Sequence, residues 1–292
     1  IEEVYGLSLF DISGLLPEKL LASLSLEPAQ DATFFSEGEY RGWPLRIAPT
    51  QFKPFLKTAG KYYCFYPYFT DHFYRSIQRA LKTSEPAYSD KLNQRQKRIT
   101  EKLPIDLLKE ILPGCTAYTE VYYSTTQRKA DWTECDAVLI LDGLLLAIEI
   151  KAGAFTYTSP ANDLLSHLHS IKDLLIAPAL QGDRFIQYLE SSDEVPIFNS
   201  KRQEIARLRR SDFSLVVRCA VTLDQLTTVA GIFQHETALL QGRKLNPTWC
   251  VSIDDLYVCR DIFKTSITLF HYLKYRLTAF EMEKLEFQDE LD

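Results

Sequence analysis

Only one methionine, Met282, occurs in 292 residues that begin at Ile1, so the chain reads as a processed product or a piece of a longer protein. Glycine is scarce, at 11, and forms neither a Walker A loop nor a glycine-rich dinucleotide turn, which removes both common nucleotide-cradle readings. Histidine is scarcer, at 5. His167 and His169 stand two apart on an expected helix, diverge by about 200° and cannot share a metal. Histidine-metal chemistry and Ser-His-Asp catalysis therefore lack support. No apolar run approaches the length of a membrane span, and no signal peptide opens the chain. Six cysteines (Cys64, Cys115, Cys135, Cys219, Cys250 and Cys259) show no CxxC pairing or metal-ligand spacing. They read as small buried hydrophobes of a reducing compartment, which makes a cytoplasmic location the expectation. An excess of positive charge is also missing. The formal net charge of −6 counts against broad nonspecific coating of DNA. What remains, 46% hydrophobic and 25% charged residues, is the composition of a soluble globular protein with one large domain or two modest ones.

Against this background residues 134–153, ECDAVLILDGLLLAIEIKAG, stand out. Two apolar runs flank Asp142-Gly143, a favoured two-residue type I′ hairpin turn. Counting outward from a tight turn, Leu141 faces Leu144, Leu139 faces Leu146, Ala137 faces Ile148, and Asp136 faces Glu149. Lys151, two beyond Glu149, shares its face, while Leu144, Leu146, Ile148 and Ile150 turn toward a core. Directly opposed carboxylates repel unless a cation lies between them. Lys151 supplies part of that compensation, and a hard divalent ion such as Mg²⁺ would supply more. Glu-x-Lys alone is expected about once by chance in a chain of this length. Its weight comes from the opposed acid, the apolar strands and the shared face. The structural alternative is an edge hairpin carrying an ordinary acid–lysine pair.

Asp, hairpin, then Glu-x-Lys resembles the PD-(D/E)xK nuclease superfamily, also called restriction-endonuclease-like, and within it the nuclease-related branch with NERD-like and Mrr-like domains. The resemblance covers roughly residues 89–280. It implies an α/β fold with a restriction-endonuclease-like core, a central mixed sheet flanked by helices. It implies a Mg²⁺- or Mn²⁺-dependent deoxyribonuclease in which Asp136 and Glu149 hold the metal and Lys151 assists the attacking water. Glu101 matches the acid many members place at the rim of the site, and Gln181, in QGDRFIQYL, the glutamine of Mrr-like members. Cys135 stands where a Pro-Asp pair would place proline. Defence and repair are both open to such an enzyme. The rivals are a catalytically inactive module of the same fold that binds nucleic acid or scaffolds a complex, and a protein–protein scaffold.

Basic residues cluster despite the net charge: Lys91, Arg95, Lys97 and Arg98; Arg128 and Lys129; and Lys201, Arg202, Arg207, Arg209 and Arg210. The last group has only Glu204 as an acidic neighbour within its span and is the expected phosphate contact with DNA.

Three regions are expected: an aromatic-rich part at 1–85, either an extension, a small domain or part of a larger upstream one; the nuclease-like domain at 86–280; and an acidic tail at 281–292. Tyr62, Tyr63, Phe65, Tyr66, Tyr68, Phe69, Phe73 and Tyr74 could stack on bases, but read better as a core strand followed by a helix. Residues 83–89 form the boundary. A helix follows to Leu112, with Pro104 kinking or dividing it, and Pro113-Gly114 ends it. Residues 116–124 read as the first strand, whose Glu120 ranks below Glu101 as the extra acid. Asn162 or Asp163 caps a helix with a Leu164, Leu165, Leu168, Ile171, Leu174 and Leu175 stripe. Ala177-Pro178 breaks it, and on the next helix Gln181, Arg184 and Tyr188 share a face that would meet the scissile strand or simply solvent. Residues 213–222 read as a buried strand, Asp224 caps a helix toward His235, and 249–252 form a short strand before a helix capped by Asp254. The last helix starts at Thr265 or Ser266, with Ile267, Phe270, Leu273 and Leu277 as its core stripe.

Overall fold

The computed structural model describes residues 9–30, 33–36, 41, 48–124, 126, 131–156, 162–226, 229–230 and 245–282, and of 33, 36 and 66–72 the backbone alone. Arg128, Lys129, His235, residues 157–160, the tail from 283 and the side chains of Tyr66, Tyr68 and Phe69 lie outside the described part. The chain divides into two compact units, Ile1–Arg95 with Tyr157–His167, and Gln96–Thr156 with Leu168–Asp292.

The first unit holds strands β1 (Leu9–Asp11), β2 (Ser25–Leu26), β3 (Phe55–Thr58) and β4 (Lys61–Phe65), in the order β1-β4-β3-β2. All pairs are antiparallel except β2 with β3. Ala59 and Gly60, with φ of 49° and 74°, make the primed turn that the twist of β3 and β4 demands. Its helices include α1 (Glu18–Ser23), α2 (Thr33–Ser36) and α3 (Tyr66–Ser84). Leu21, Leu24, Phe55, Tyr62 and Cys64 form its core, with Phe73 and Ile77 packed on them. The aromatic run thus becomes a strand and a helix, as its pattern suggested.

A seven-stranded mixed sheet organises the second unit: β5 (Thr116–Tyr123), β6 (Thr133–Leu141), β7 (Leu144–Lys151), β8 (Val195–Phe198), β9 (Glu204–Leu208), β10 (Leu215–Thr222) and β11 (Thr248–Ser252). The order is β11-β10-β7-β6-β5-β8-β9, with β7, β10 and β11 parallel and the remaining pairs antiparallel. LLLAIEIK is apolar at nearly every position because β7 lies between β6 and β10 with both faces covered. One face carries Leu144, Leu146, Ile148 and Ile150 against α4 (Ser89–Ile111), α7 (Ile253–Ile262) and α8 (Ser266–Phe280). The other carries Leu145 and Ala147 against Phe185 and Leu189 of α6 (Ala177–Leu189). The expectation of an α/β fold with a mixed sheet flanked by helices is met.

Several local expectations are not. Pro104 neither divides nor ends α4; it is buried inside one continuous helix. Ala177-Pro178 does not break the chain into separate helices either. Helix α5 (Leu164–Ile171) runs through a π-helical turn, Lys172–Ile176, into α6, with the Ala177 amide bonded to the Lys172 carbonyl. Pro178 has no N–H to offer the Leu174 carbonyl four residues back, and the wider turn absorbs that mismatch. Leu164 and Leu165 are exposed, so the buried stripe begins only at Ile171. In α8 the buried positions are Leu269, Leu273, Arg276 and Phe280, while Ile267 is exposed. The α7 cap is Ser252 rather than Asp254: its hydroxyl accepts from the Asp255 amide, and the Asp255 carboxylate accepts from the Ser252 amide. The β8–β9 hairpin had no anticipated counterpart.

The reciprocal cap satisfies two donors in a buried setting, so Ser252→Ala should lower stability by about 1 kcal/mol. Ile267→Ala, at an exposed position, should change it by less than about 0.5 kcal/mol. Urea midpoints of the two variants check the pair.

Candidate active site

The β6–β7 register is the one the turn implied: Leu141 opposite Leu144, Leu139 opposite Leu146 and Ala137 opposite Ile148. The turn itself differs from type I′. Asp142 carries a positive φ of 48°, and Gly143 stays outside the left-handed range. A Cβ at 143 would stand 2.7 Å from Ser214 Oγ, so a larger residue there would require that hydroxyl to turn away.

Beyond Ala137 and Ile148 the two strands part. The next rung would bond the Ile150 amide to the Cys135 carbonyl, but Asp136 Oδ2 accepts from that amide at 2.7 Å. A side chain thus replaces a backbone acceptor and brings a carboxylate into the opening. A second irregularity accompanies it. Glu120, which the β5–β6 register sets opposite Asp136, has a φ of 51° and makes no ladder pair. Up to this point Ala137 and Leu139 face α4, whereas past it Val121, Tyr123 and Cys135 all face α6.

Glu149 and Lys151 also face α6. Lys151 Nζ donates to Gln181 Oε1 at 2.7 Å and stands 3.7 Å from Glu149 Oε2. Glu149 is 1% exposed, and its Oε1 is buried with no hydrogen-bond partner. Burial first, and the neighbouring Asp136 charge second, push its carboxyl up to about 8, against the pull of Lys151, the Cys135 thiol and Arg184. Asp136 is raised too, chiefly by burial, while the Ile150 amide and then Lys151 and Lys97 hold it down. The Cys135 thiol donates to the carbonyls of Ala137 and Ile148, and burial beside both acids drives its acidity far down. Tyr123 lies in the same pocket, stacked near Phe185 and Tyr188; its buried hydroxyl has no partner and is held neutral mainly by burial.

Helix α6 sets the Gln181 position. The helix packs on β10 at Gly182, where a Cβ would come into ordinary contact with the Arg218 side chain at 3.4 Å. The adjacent Asp183 pairs with Arg218 and accepts from Asn246 Nδ2 at 2.9 Å. Tyr188 does not share the polar face with Gln181: it is buried and donates to the Pro196 carbonyl at 2.5 Å. Arg184 is exposed.

Asp136, Glu149, Lys151 and Gln181 are therefore brought together. Glu101 is not seen to join them; it is half-exposed on α4 and pairs with Lys97 at 3.6 Å. The basic group at 201–210 requires the largest correction. It lies on β8–β9 and the segment that follows. Two acids from outside its own span, Glu190 and Glu194, fold back onto it: Arg207 pairs with Glu194 at 3.6 Å as well as with Glu204 at 2.7 Å, Arg209 with Glu194 at 3.0 Å, and Arg210 with Glu190 at 3.5 Å. Counting only neighbours within the span missed Glu190 and Glu194. Arg202 is occupied differently, over the rings of Tyr122 and Trp132.

Among the described residues no three His, Cys, Asp or Glu side chains form a metal-binding group. Two carboxylates nonetheless fit a hard divalent ion that keeps most of its waters, and the partnerless Glu149 Oε1 is an acceptor such an ion would satisfy. Glu149 and Asp136 are the residues that would hold it. No family model, curated protein or solved structure matches the chain.

A carboxyl that ionises near 4.5 when unperturbed and at about 8 in the fold binds a proton in the folded state that the unfolded chain has lost. Stability therefore falls as pH rises through that window, by at most roughly 1.4 kcal/mol per unit, and levels above it. Urea midpoints in EDTA should drop between pH 5 and pH 8 for the native chain and stay nearly level for Glu149→Gln. Equal slopes in the two proteins would refute the assignment.

Proposed function

We propose that this chain is a metal-dependent nuclease with a restriction-endonuclease-like core, hydrolysing phosphodiester bonds in DNA at the open end of β6 and β7. One observation carries the reading: a buried carboxylate with a partnerless oxygen lies beside a second carboxylate and a lysine oriented by a glutamine. A merely structural acid–lysine pair would satisfy both carboxylate oxygens or remain in water.

A bound Mg²⁺ or Mn²⁺ supplies Lewis-acid polarisation of the phosphate and a water of lowered pKa. Asp136 commits Oδ2 to the Ile150 amide, which fixes the carboxylate plane and leaves Oδ1 for a ligand. Glu149 is placed by β7, with a strand on either side, and its partnerless Oε1 is the atom that would bind the ion. Lys151 has three donors; one goes to Gln181, so others remain to hold a water or an oxygen that gains negative charge during displacement. Gln181 is a positioning residue, because it acts through Lys151. Burial on the α6 side limits competing water around these groups.

Cleavage of labelled DNA in Mg²⁺ or Mn²⁺ is the direct measurement. Asp136→Asn and Lys151→Met should each lower the rate by about 10²-fold or more, and Gln181→Ala by less. Cleavage that survives both of the first two changes would sink the proposal. Retained DNA binding without turnover, and without heat of Mn²⁺ binding, would instead favour the inactive module of the same fold.

A further inference from the structure

We infer that Arg202, Tyr122 and Trp132 form a stacking subsite for an unpaired nucleotide of the substrate strand, a reading that rests on the proposed nuclease function and names the kind of strand it takes. The Arg202 guanidinium lies 3.8 Å from the Tyr122 ring centre and 4.7 Å from that of Trp132. Trp132 is braced edge-on by Phe198 at 5.0 Å, and the Tyr122 hydroxyl donates to Glu134 at 2.8 Å. The guanidinium thus lies over two aromatic rings while the Arg202 side chain remains exposed. Planar cations and half-buried rings in this arrangement accept base faces and phosphate oxygens without reading sequence.

Three further observations separate this stack from an ordinary brace of the hairpin. Arg202 holds a φ of 62°, a backbone that glycine or asparagine would adopt with less strain. Within the 201–210 group, Arg207, Arg209 and Arg210 are tied to acids, whereas neither Lys201 nor Arg202 makes an ion pair among the described residues. Third, the stack lies at the same end of the sheet as the carboxylates. Tyr122 pairs with Glu134, two residues before Asp136, and with Phe198 on its other side.

The faces decide the strand type. Val121 and Tyr123 point toward α6, so Tyr122 points the opposite way, whereas Glu149 and Lys151 are on the α6 face. A strand that reaches both must bend around the end of the sheet where β6 and β7 part. Duplex DNA, with a persistence length of about 150 base pairs, resists such a bend, and an unpaired strand does not.

The test is binding of the full chain to labelled oligo-dT, to oligo-rU and to a blunt duplex of equal length in EDTA, read by fluorescence anisotropy. The native chain should prefer oligo-dT to the duplex, and Trp132→Ala and Arg202→Gly should each weaken oligo-dT binding by about tenfold. Arg202→Gly relieves the positive φ, so its urea midpoint should hold or rise while binding falls; a brace without a ligand gives unchanged binding. Oligo-dT affinity equal to the native value in both variants, or preference for the duplex, overturns the subsite. Tighter binding of oligo-rU than oligo-dT overturns its assignment to DNA. The cleavage assay fails independently: if Asp136→Asn leaves cleavage intact while the binding losses hold, the nuclease site is wrong and the subsite remains.

Discussion

Placing a carboxylate in an interior strand of a sheet, almost wholly buried, is the constraint around which this molecule is arranged. Glu149 is flanked by Ile148 and Ile150, which serve the opposite core, and the strand cannot rotate it outward without exposing both. An isolated ionised carboxylate in such surroundings is prohibitive, so the group either keeps its proton or acquires a cation. Lys151 is the only cation of its own strand on that face, and at 3.7 Å it offers an ion pair rather than a full hydrogen bond. A buried pair with one oxygen unsatisfied adds little to stability compared with an apolar pair of the same volume.

The neighbouring irregularities follow from that placement. If β6 continued its pairing with β7, the row of Asp136 and Glu149 would close, and two acids would face each other with no room for a compensating ion. The ladder stops one rung earlier, and Asp136 occupies the vacated backbone donor. Strand β5 cannot follow β6 through this change without its own adjustment, which appears as the positive φ of Glu120. On the other side of the site, the π-helical turn changes the phase of α6 relative to α5. Gln181 then reaches Lys151 from a helix fixed by the Asp183–Arg218 pair. The strand opening, the Glu120 φ and the π-helical turn thus fall on the strands and the helix that carry or adjoin these four side chains.

These features were unequally legible in the sequence. The hairpin was readable because turn chemistry and a period of two both fix register, and together they placed Glu149 and Lys151 on one face. The opening at Asp136 was invisible, since no residue type marks the substitution of a side chain for a carbonyl. Gln181 was found by resemblance alone; its helical spacing grouped it with Tyr188, whose hydroxyl turned out to serve a backbone carbonyl. Pro104 and Pro178 were read by a local rule, and tertiary packing tolerated one while a π-helical turn absorbed the other. The basic segment failed for a different reason. Charge counted along a chain ignores acids that a hairpin returns to it, and the β8–β9 hairpin was itself missed because a proline at 196 and polar residues at 199–204 masked two short strands.

Charge of one sign nevertheless collects at one end of the larger sheet. Strands β7, β10 and β11 run parallel, and Lys151, Thr222 and Ser252 share their last row. The carboxyl ends of parallel strands are where loops separate and side chains gain access to ligands. Asp224 follows β10 and accepts from the Phe155 amide, while Asp254 follows β11 and is raised by burial and by Asp255 and Asp224. Among the described residues, the carboxyls pushed upward are Asp136, Glu149 and Asp254, and all three sit at this end. Elsewhere acids are drawn into pairs: Glu190, Glu194 and Glu204 neutralise arginines on β8–β9 and its flanks, and Asp183 neutralises Arg218. Three carboxyls raised by burial at one rim create a local demand for cations there. A polyanion can approach that rim only if the demand is met, so cation binding and strand binding at this end would be thermodynamically linked rather than independent.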